Sequence, residues 1–240
     1  LGTFVVDATT GNMAVIGIVS ALYHREKTGE GQKISVNLLS SIMDVQIQEF
    51  TTYLNCGILP ERSDELLAHP LINSPYGIHK TKDGYIALAM TPFDKLAAAL
   101  ECEELKRFTK WEDGQKYRDE IFQIVANVLR TKTTKEWIQQ LDKHDVWCGP
   151  VNTYKEVAED PQIKHNGTIQ TITHPKYGDL KFVANPIQFS TTPVSYRLAP
   201  PALGEHNEEI LKELGFNEQE IEELKKKNVI QDKLPETFMI

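Results

Sequence analysis

The chain has 240 residues, 40% of them hydrophobic and 25% charged, with a formal net charge of −8. It is long enough to bury one sizeable core or two smaller ones. The acidic balance argues against a phosphate-tracking nucleic-acid binder, and no apolar run approaches the length of a membrane span. Three cysteines, Cys56, Cys102 and Cys148, lie far apart with no C-x-x-C pair, which suits a reducing, cytoplasmic compartment better than a disulfide framework. The opening reads as neither a signal nor a transit peptide.

In chain order, Val5-Val6-Asp7-Ala8-Thr9-Thr10-Gly11 leads into a helix rich in small residues: Gly11, Ala14, Gly17, Ser20 and Ala21. Arg25 and Lys27 stand at its far end and Thr28-Gly29 stops it, so an acid meets the positive end of the helix dipole and cations the negative end. From residue chemistry alone Asp7 reads first as an N-cap, with Thr9 or Thr10 as alternative caps, and only second as an ionised carboxylate held ready for nucleophilic work. Lys33–Leu39 alternates like a strand, and Ser40–Leu54 carries Ile42, Met43, Val45, Ile47 and Phe50 in a helical pattern. Residues 55–73 read as a loop with a short helical piece, crossing between domains.

From Ser74 the pattern changes. Two alternating runs, Pro75–Lys80 and Tyr85–Met90, flank Thr81-Lys82-Asp83-Gly84, a strong hairpin signal. Helices are predicted at Phe93–Leu100, Tyr117–Arg130 and Thr134–His144, the last starting at Thr133 or Thr134. Val146–Val151 reads as a strand, and a helix follows toward Asp160-Pro161-Gln162. A second hairpin turns at Lys176–Asp179 between strands near Thr168–Thr173 and Leu180–Ala184. Pro186–Pro201 is an extended return linker. Two helices follow, punctuated by Gly215.

Other residues carry less. Seven histidines are scattered without metal-ligand spacing, so no metal site is expected. His206 reads as a helix cap or a surface residue before a site residue. Ser40-Ser41 lies outside any G-x-S-x-G elbow, and Cys148 beside Trp147 reads as a small buried hydrophobe rather than a thiolate. Lys225-Lys226-Lys227 is a solvated face. No Gly-rich phosphate loop is present.

The stretch from Asp7-x-x-x-Gly11 to Arg25-x-x-Thr28-Gly29-x-Gly31-Gln32 resembles the signature of the family III CoA-transferases, whose relatives include the 2-methylacyl-CoA racemases. Tyr76-Gly77-x-His79-x-Thr81-x-Asp83-Gly84-Tyr85, Gly149-Pro150-Val151, Asp160-Pro161-Gln162 and Leu203-Gly204-x-His206 extend the resemblance over nearly the whole chain. It implies an α/β fold: part of a Rossmann-like large domain plus a smaller α+β domain, of the interlocked-dimer type. The expected partition is 1–65 for the large-domain segment with the catalytic helix, 66–185 for the small domain, and 186–240 for the return linker and C-terminal helices.

The resemblance further implies that Asp7 is the nucleophile. Thr9, Thr10, Gly11, Gln32, Asn73 and Tyr76 are implied to line the CoA site. The implied reaction moves CoA between an acyl-CoA and a carboxylic acid through an aspartyl anhydride and an aspartyl-CoA thioester. No cofactor is held; the CoA thioester is a substrate. Where some family members carry glycines before the hairpin, this chain has His69-Pro70-Leu71-Ile72-Asn73, so a lid here must differ. The match begins almost at residue 1, which implies that the family's N-terminal region, with most CoA contacts, is missing and that the chain is inactive without it. The expected partners are acyl-CoA and acid substrates and either a second copy in an interlocked homodimer or a subunit supplying the N-terminal half, with no nucleic acid and no membrane. A racemase, whose partner histidine would lie before Leu1, and a non-catalytic association subunit are the alternatives.

Overall fold

Small residues and a terminal glycine make the first element, α1 (Val5–Thr28), a long helix closed by Gly29 in the left-handed conformation at φ 78°. The computed structural model describes residues 2–59, 61, 63, 65 and 69–231. The chain falls into two compact units that divide after Val151.

In the first unit, α1 is followed by an exposed run to Asn37, whose Oδ1 accepts the Ser40 N–H at 2.8 Å and so caps α2 (Leu38–Val45). Ile34 lies over Gly17, its Cδ1 3.4 Å from where a Cβ would stand. The expected strand at Lys33–Leu39 is not formed: among the described residues this run has no ladder partner, and alternation without a neighbour does not make a sheet. The expected single helix over Ser40–Leu54 breaks at Gln46 (φ −102°, ψ 24°) into α2 and α3 (Ile47–Cys56). The short helical piece expected in the following loop falls largely outside the described residues.

Next comes the hairpin, β1 (Gly77–Lys80) and β2 (Tyr85–Leu88), with Lys80 opposite Tyr85 around the Asp83-Gly84 turn. After it come α4 (Phe93–Leu100), a 3-10 turn at Glu103–Arg107, α5 (Asp113–Lys116), α6 (Arg118–Leu129), α7 (Thr134–Lys143) and β3 (Cys148–Pro150). The strands form a three-stranded antiparallel sheet in the order β1-β2-β3. Alternation sends Ile86 and Leu88 inward, where α6 meets β1, α7 meets β3 and α4 touches both helices. The core is continuous: Leu96, Leu100, Leu105, Ile121, Val125, Leu129, Trp137 and Leu141 are all buried. Trp137 satisfies its indole N–H on the Leu129 carbonyl at 2.7 Å. Of the two starts the sequence offers for α7, Thr133 is the cap, and it forms a capping box with Glu136.

The second unit holds α8 (Tyr154–Glu159), α9 (Pro161–His165), the hairpin β4 (Ile169–His174) with β5 (Gly178–Val183), α10 (Asn207–Glu213) and α11 (Glu218–Lys226). Among its described residues only His174 and Ile221 are fully buried.

Helix α1 is long and apolar enough to cross a membrane by length and composition alone, a test that the core helix of a soluble protein also passes, and small and polar residues break its apolar run.

Candidate active site

Asp7 stands in the first turn of α1, but it is not the cap. The N-cap residue is Phe4, whose side chain cannot cap; the Val5 N–H turns back to the Thr3 carbonyl at 3.0 Å, and the first regular helical bond runs from Ala8 N–H to the Phe4 carbonyl. The Asp7 carboxylate is exposed and makes no hydrogen bond or ion pair among the described residues. The helix dipole favours a negative charge at this place. The alternative caps are also spent: the Thr9 and Thr10 hydroxyls donate to the Val5 and Val6 carbonyls, each at 2.7 Å. Gly11 follows on the same helix with open space where a Cβ would stand.

Gln32 is exposed in the run after Gly29. Gly17, where Ile34 rests, is ten residues along α1 from Asp7, about 15 Å, and Gln32 precedes Ile34 on the Gly29 side. Within one chain the structure therefore does not bring Gln32 beside Asp7.

Asn73 and Tyr76 sit in the turn before β1, where the Tyr76 N–H donates to the Asn73 carbonyl at 3.2 Å. Asn73 is buried against Gly114; its amide donates to the Trp111 carbonyl at 2.7 Å, and a Cβ on Gly114 would stand 2.6 Å from the Asn73 Cβ. Tyr76 is half-buried. Beside this turn, His79 is 1% exposed and stacks on Phe122 with centroids 4.2 Å apart. Burial pushes its pKa down to about 4, against the opposing hydrogen bond to the Pro75 carbonyl.

A second histidine arrangement has no local signal beyond the His-Pro dipeptide itself. His69 accepts the Leu71 N–H on Nδ1 at 3.1 Å and meets the Glu49 carboxylate of α3 with Nε2. The Glu49 carboxyl lies below the usual carboxylate range, first through a hydrogen bond from its own backbone N–H and then through His69. Both imidazole nitrogens are engaged, so His69 fastens α3 to the loop rather than acting as a free base. The Cys148 thiol is pushed up to about 11 by burial, which leaves it a packing residue. His206 is the N-cap residue of α10 but its side chain makes no cap bond. No group of three metal-ligating side chains occurs among the described residues. A surface cleft of about 390 Å³ between the start of α4 and the Lys106–Trp111 turn holds none of the residues expected at the site.

The family model of CoA-transferase family III matches residues 1–207. The chain belongs to CoA-transferase family III. The family III match takes in α1 with Asp7, both hairpins and the turn carrying Asn73 and Tyr76. The chain is 28% identical over 250 residues to the formyl-CoA:oxalate CoA-transferase of Streptomyces coelicolor, covering 95% of this chain and 60% of that protein. It is 30% identical to the human succinyl-CoA:glutarate CoA-transferase, covering 95% and 53% respectively. Among solved structures, a CaiB/BaiF family protein from Brucella suis aligns with a TM-score of 0.70 at 28% identity, over 89% of this chain and 56% of that one. A Mycobacterium tuberculosis protein shares the fold with a TM-score of 0.68 at 20% identity, over 87% of this chain and 56% of that one. The mixed helix-and-strand architecture is the α/β fold of family III. The chain spans a little over half the length of these relatives.

Proposed function

We propose that this chain carries the nucleophile of a CoA-transferase, and that Asp7 is that nucleophile. The observation that carries the reading is the uncommitted, exposed Asp7 carboxylate in the uncapped first turn of α1, within the family-matched span. A carboxylate used only as a cap would be bonded to backbone N–H groups; this one is free to attack.

The carboxylate adds to the thioester carbonyl of an acyl-CoA, the C–S bond breaks, and an acyl-aspartyl anhydride forms with CoA thiolate released. The thiolate then attacks the aspartyl carbonyl, giving an aspartyl-CoA thioester and the free donor acid. The acceptor carboxylate attacks that thioester, and the displaced thiolate attacks the acceptor's acyl carbonyl to return Asp7 as a carboxylate. Covalent catalysis divides one difficult exchange into easier ones, and the uncapped N–H groups of the first turn offer hydrogen bonds to the oxyanions. CoA is substrate throughout; Thr9, Thr10, Gly11, Gln32, Asn73 and Tyr76 are proposed to line its path. Since Gln32 lies along α1 away from Asp7, its part in the site is best supplied from a second copy.

The same reading assigns 1–65 and 186–240 to a large domain and 66–185 to a small one, in a cytoplasmic enzyme. The uncovered apolar residues of α1–α3 support a polypeptide partner, either a second copy or a subunit supplying the remaining half. The test is transfer between an acyl-CoA and a carboxylate acceptor, with and without that remaining half. Activity is expected only in its presence, and Asp7→Asn is expected to lower it roughly a thousandfold or more without unfolding the chain. Near-normal turnover by Asp7→Asn would end the assignment.

A further inference from the structure

Residues 185–205, between β5 and α10, form a Pro-rich and mostly exposed segment without a regular element, yet side chains fasten it at two points to the hairpin it leaves. At the first, the Tyr196 hydroxyl accepts the Asn185 N–H at 2.7 Å, and its ring meets Phe182 of β5 edge-on with centroids 4.7 Å apart. At the second, one Glu205 carboxylate oxygen accepts the Ala202 N–H at 2.6 Å and faces His174 Nε2 at 3.3 Å.

His174 is built for that contact. It is 2% exposed, and its Nδ1 accepts the N–H groups of Lys176 at 2.9 Å and Tyr177 at 3.3 Å. An Nδ1 that accepts must leave the proton on Nε2, and that proton points at Glu205. Without Glu205 the imidazole would hold a buried donor with no partner. The local device repeats the His69 turn: a His-Pro step, an i+2 backbone N–H on Nδ1, and a glutamate from a distant part of the chain on Nε2. It also gives the Leu203-Gly204-Glu205-His206 landmark a role in which the carboxylate, not the imidazole of His206, makes the contact.

We propose that residues 185–205 are a strap along the β4–β5 hairpin and that the Glu205–His174 contact is its releasable buckle, coupling the start of α10 to the hairpin turn. The strap's exposure and its lack of a backbone ladder make it a segment that opens locally, held by side chains rather than by secondary structure.

Backbone hydrogen exchange on the 240-residue chain tests this. Glu205→Ala removes one half of the buckle. His174→Asn removes the other, while a short amide oxygen can still accept the Lys176 N–H. Each variant is expected to raise exchange about tenfold at the bonded amides of the strap's two ends, Asn185 on the Tyr196 hydroxyl and Asn207 on the Gly204 carbonyl, the double variant no further than either single one, with the β4–β5 ladder amides unchanged within about twofold. Strap exchange unaltered in both single variants, or additive in the double, would overturn the buckle. Loss of ladder protection in Glu205→Ala would overturn its releasable character. In the unaltered chain, nitrogen shifts of His174 are expected to report the Nε2–H tautomer; an Nδ1–H tautomer would refute the contact independently.

Discussion

Helices α1–α3 and the block from Asn73 to Pro150 are both rich in apolar residues, and they use them in opposite ways. In the block, helix stripes and the inward face of the sheet close over one another, burying Ile86, Leu96, Leu105, Ile121, Val125, Trp137 and Leu141. In α1–α3 the only fully buried residue is Ser41, while Leu54 is 72%, Leu39 71% and Ile47 61% exposed. The difference teaches that periodicity reports which face of a helix seeks cover, not whether the cover lies within the same chain.

The widest gap should appear on truncating one residue in each region. Trp137→Ala is expected to cost about 3–5 kcal/mol by emptying a closed core and orphaning the Leu129 carbonyl, whereas Leu54→Ala should stay within about 0.5 kcal/mol. Urea denaturation of the two variants checks this, and comparable losses would erase the contrast.

Acid should also act on the block first. His79 is neutral in the folded chain with its pKa down at about 4, against an ordinary 6.5. Its contribution is therefore complete above pH 6.5 and is lost as pH falls toward 4, amounting to about 3 kcal/mol. His79→Phe, which keeps a ring against Phe122, should flatten the stability profile between those pH values; an unchanged slope would show that other groups set it.

One substitution should then change sign between the regions. Gly114→Ala drives a Cβ into Asn73 at 2.6 Å and is expected to cost about 1–3 kcal/mol. Gly17→Ala meets only Ile34 at 3.4 Å and should gain up to about 1 kcal/mol from helix propensity. Thermal melts of the pair decide it, and a shared sign would mean that α1 is packed as tightly as the block.

Local chemistry made much of this fold readable. Asp83-Gly84 marked the first hairpin, Thr133 or Thr134 marked the start of α7 without a choice between them, and Thr28-Gly29 marked the end of α1. What stayed hidden depended on distant partners. Among the described residues Lys33–Leu39 alternates but meets no neighbouring strand, Gln46 interrupts a helix whose pattern continues past it, and the four residues of α5 are too few to show a period. At the site, the acid in the first turn of α1 was legible, but its freedom from capping was not, because that depends on Phe4 occupying the cap. The commitments of Asn73 to Trp111 and of His69 to Glu49 join residues 38 and 20 positions apart, beyond the reach of any local pattern.

The turn of the first hairpin has a consequence for how the chain is made. Asp83 Oδ1 accepts the Thr134 N–H at 2.8 Å and the Thr134 hydroxyl at 3.1 Å, across 51 positions. The tip of β1–β2 therefore helps to anchor the first turn of α7, and neither end is complete without the other. At a synthesis rate of about 5–20 residues per second, the nascent hairpin waits roughly 3–10 seconds for Thr134 to be added. During that interval its tip carries a carboxylate with no helix to receive it, so the closing of this corner is timed by translation rather than by the hairpin's own microsecond folding.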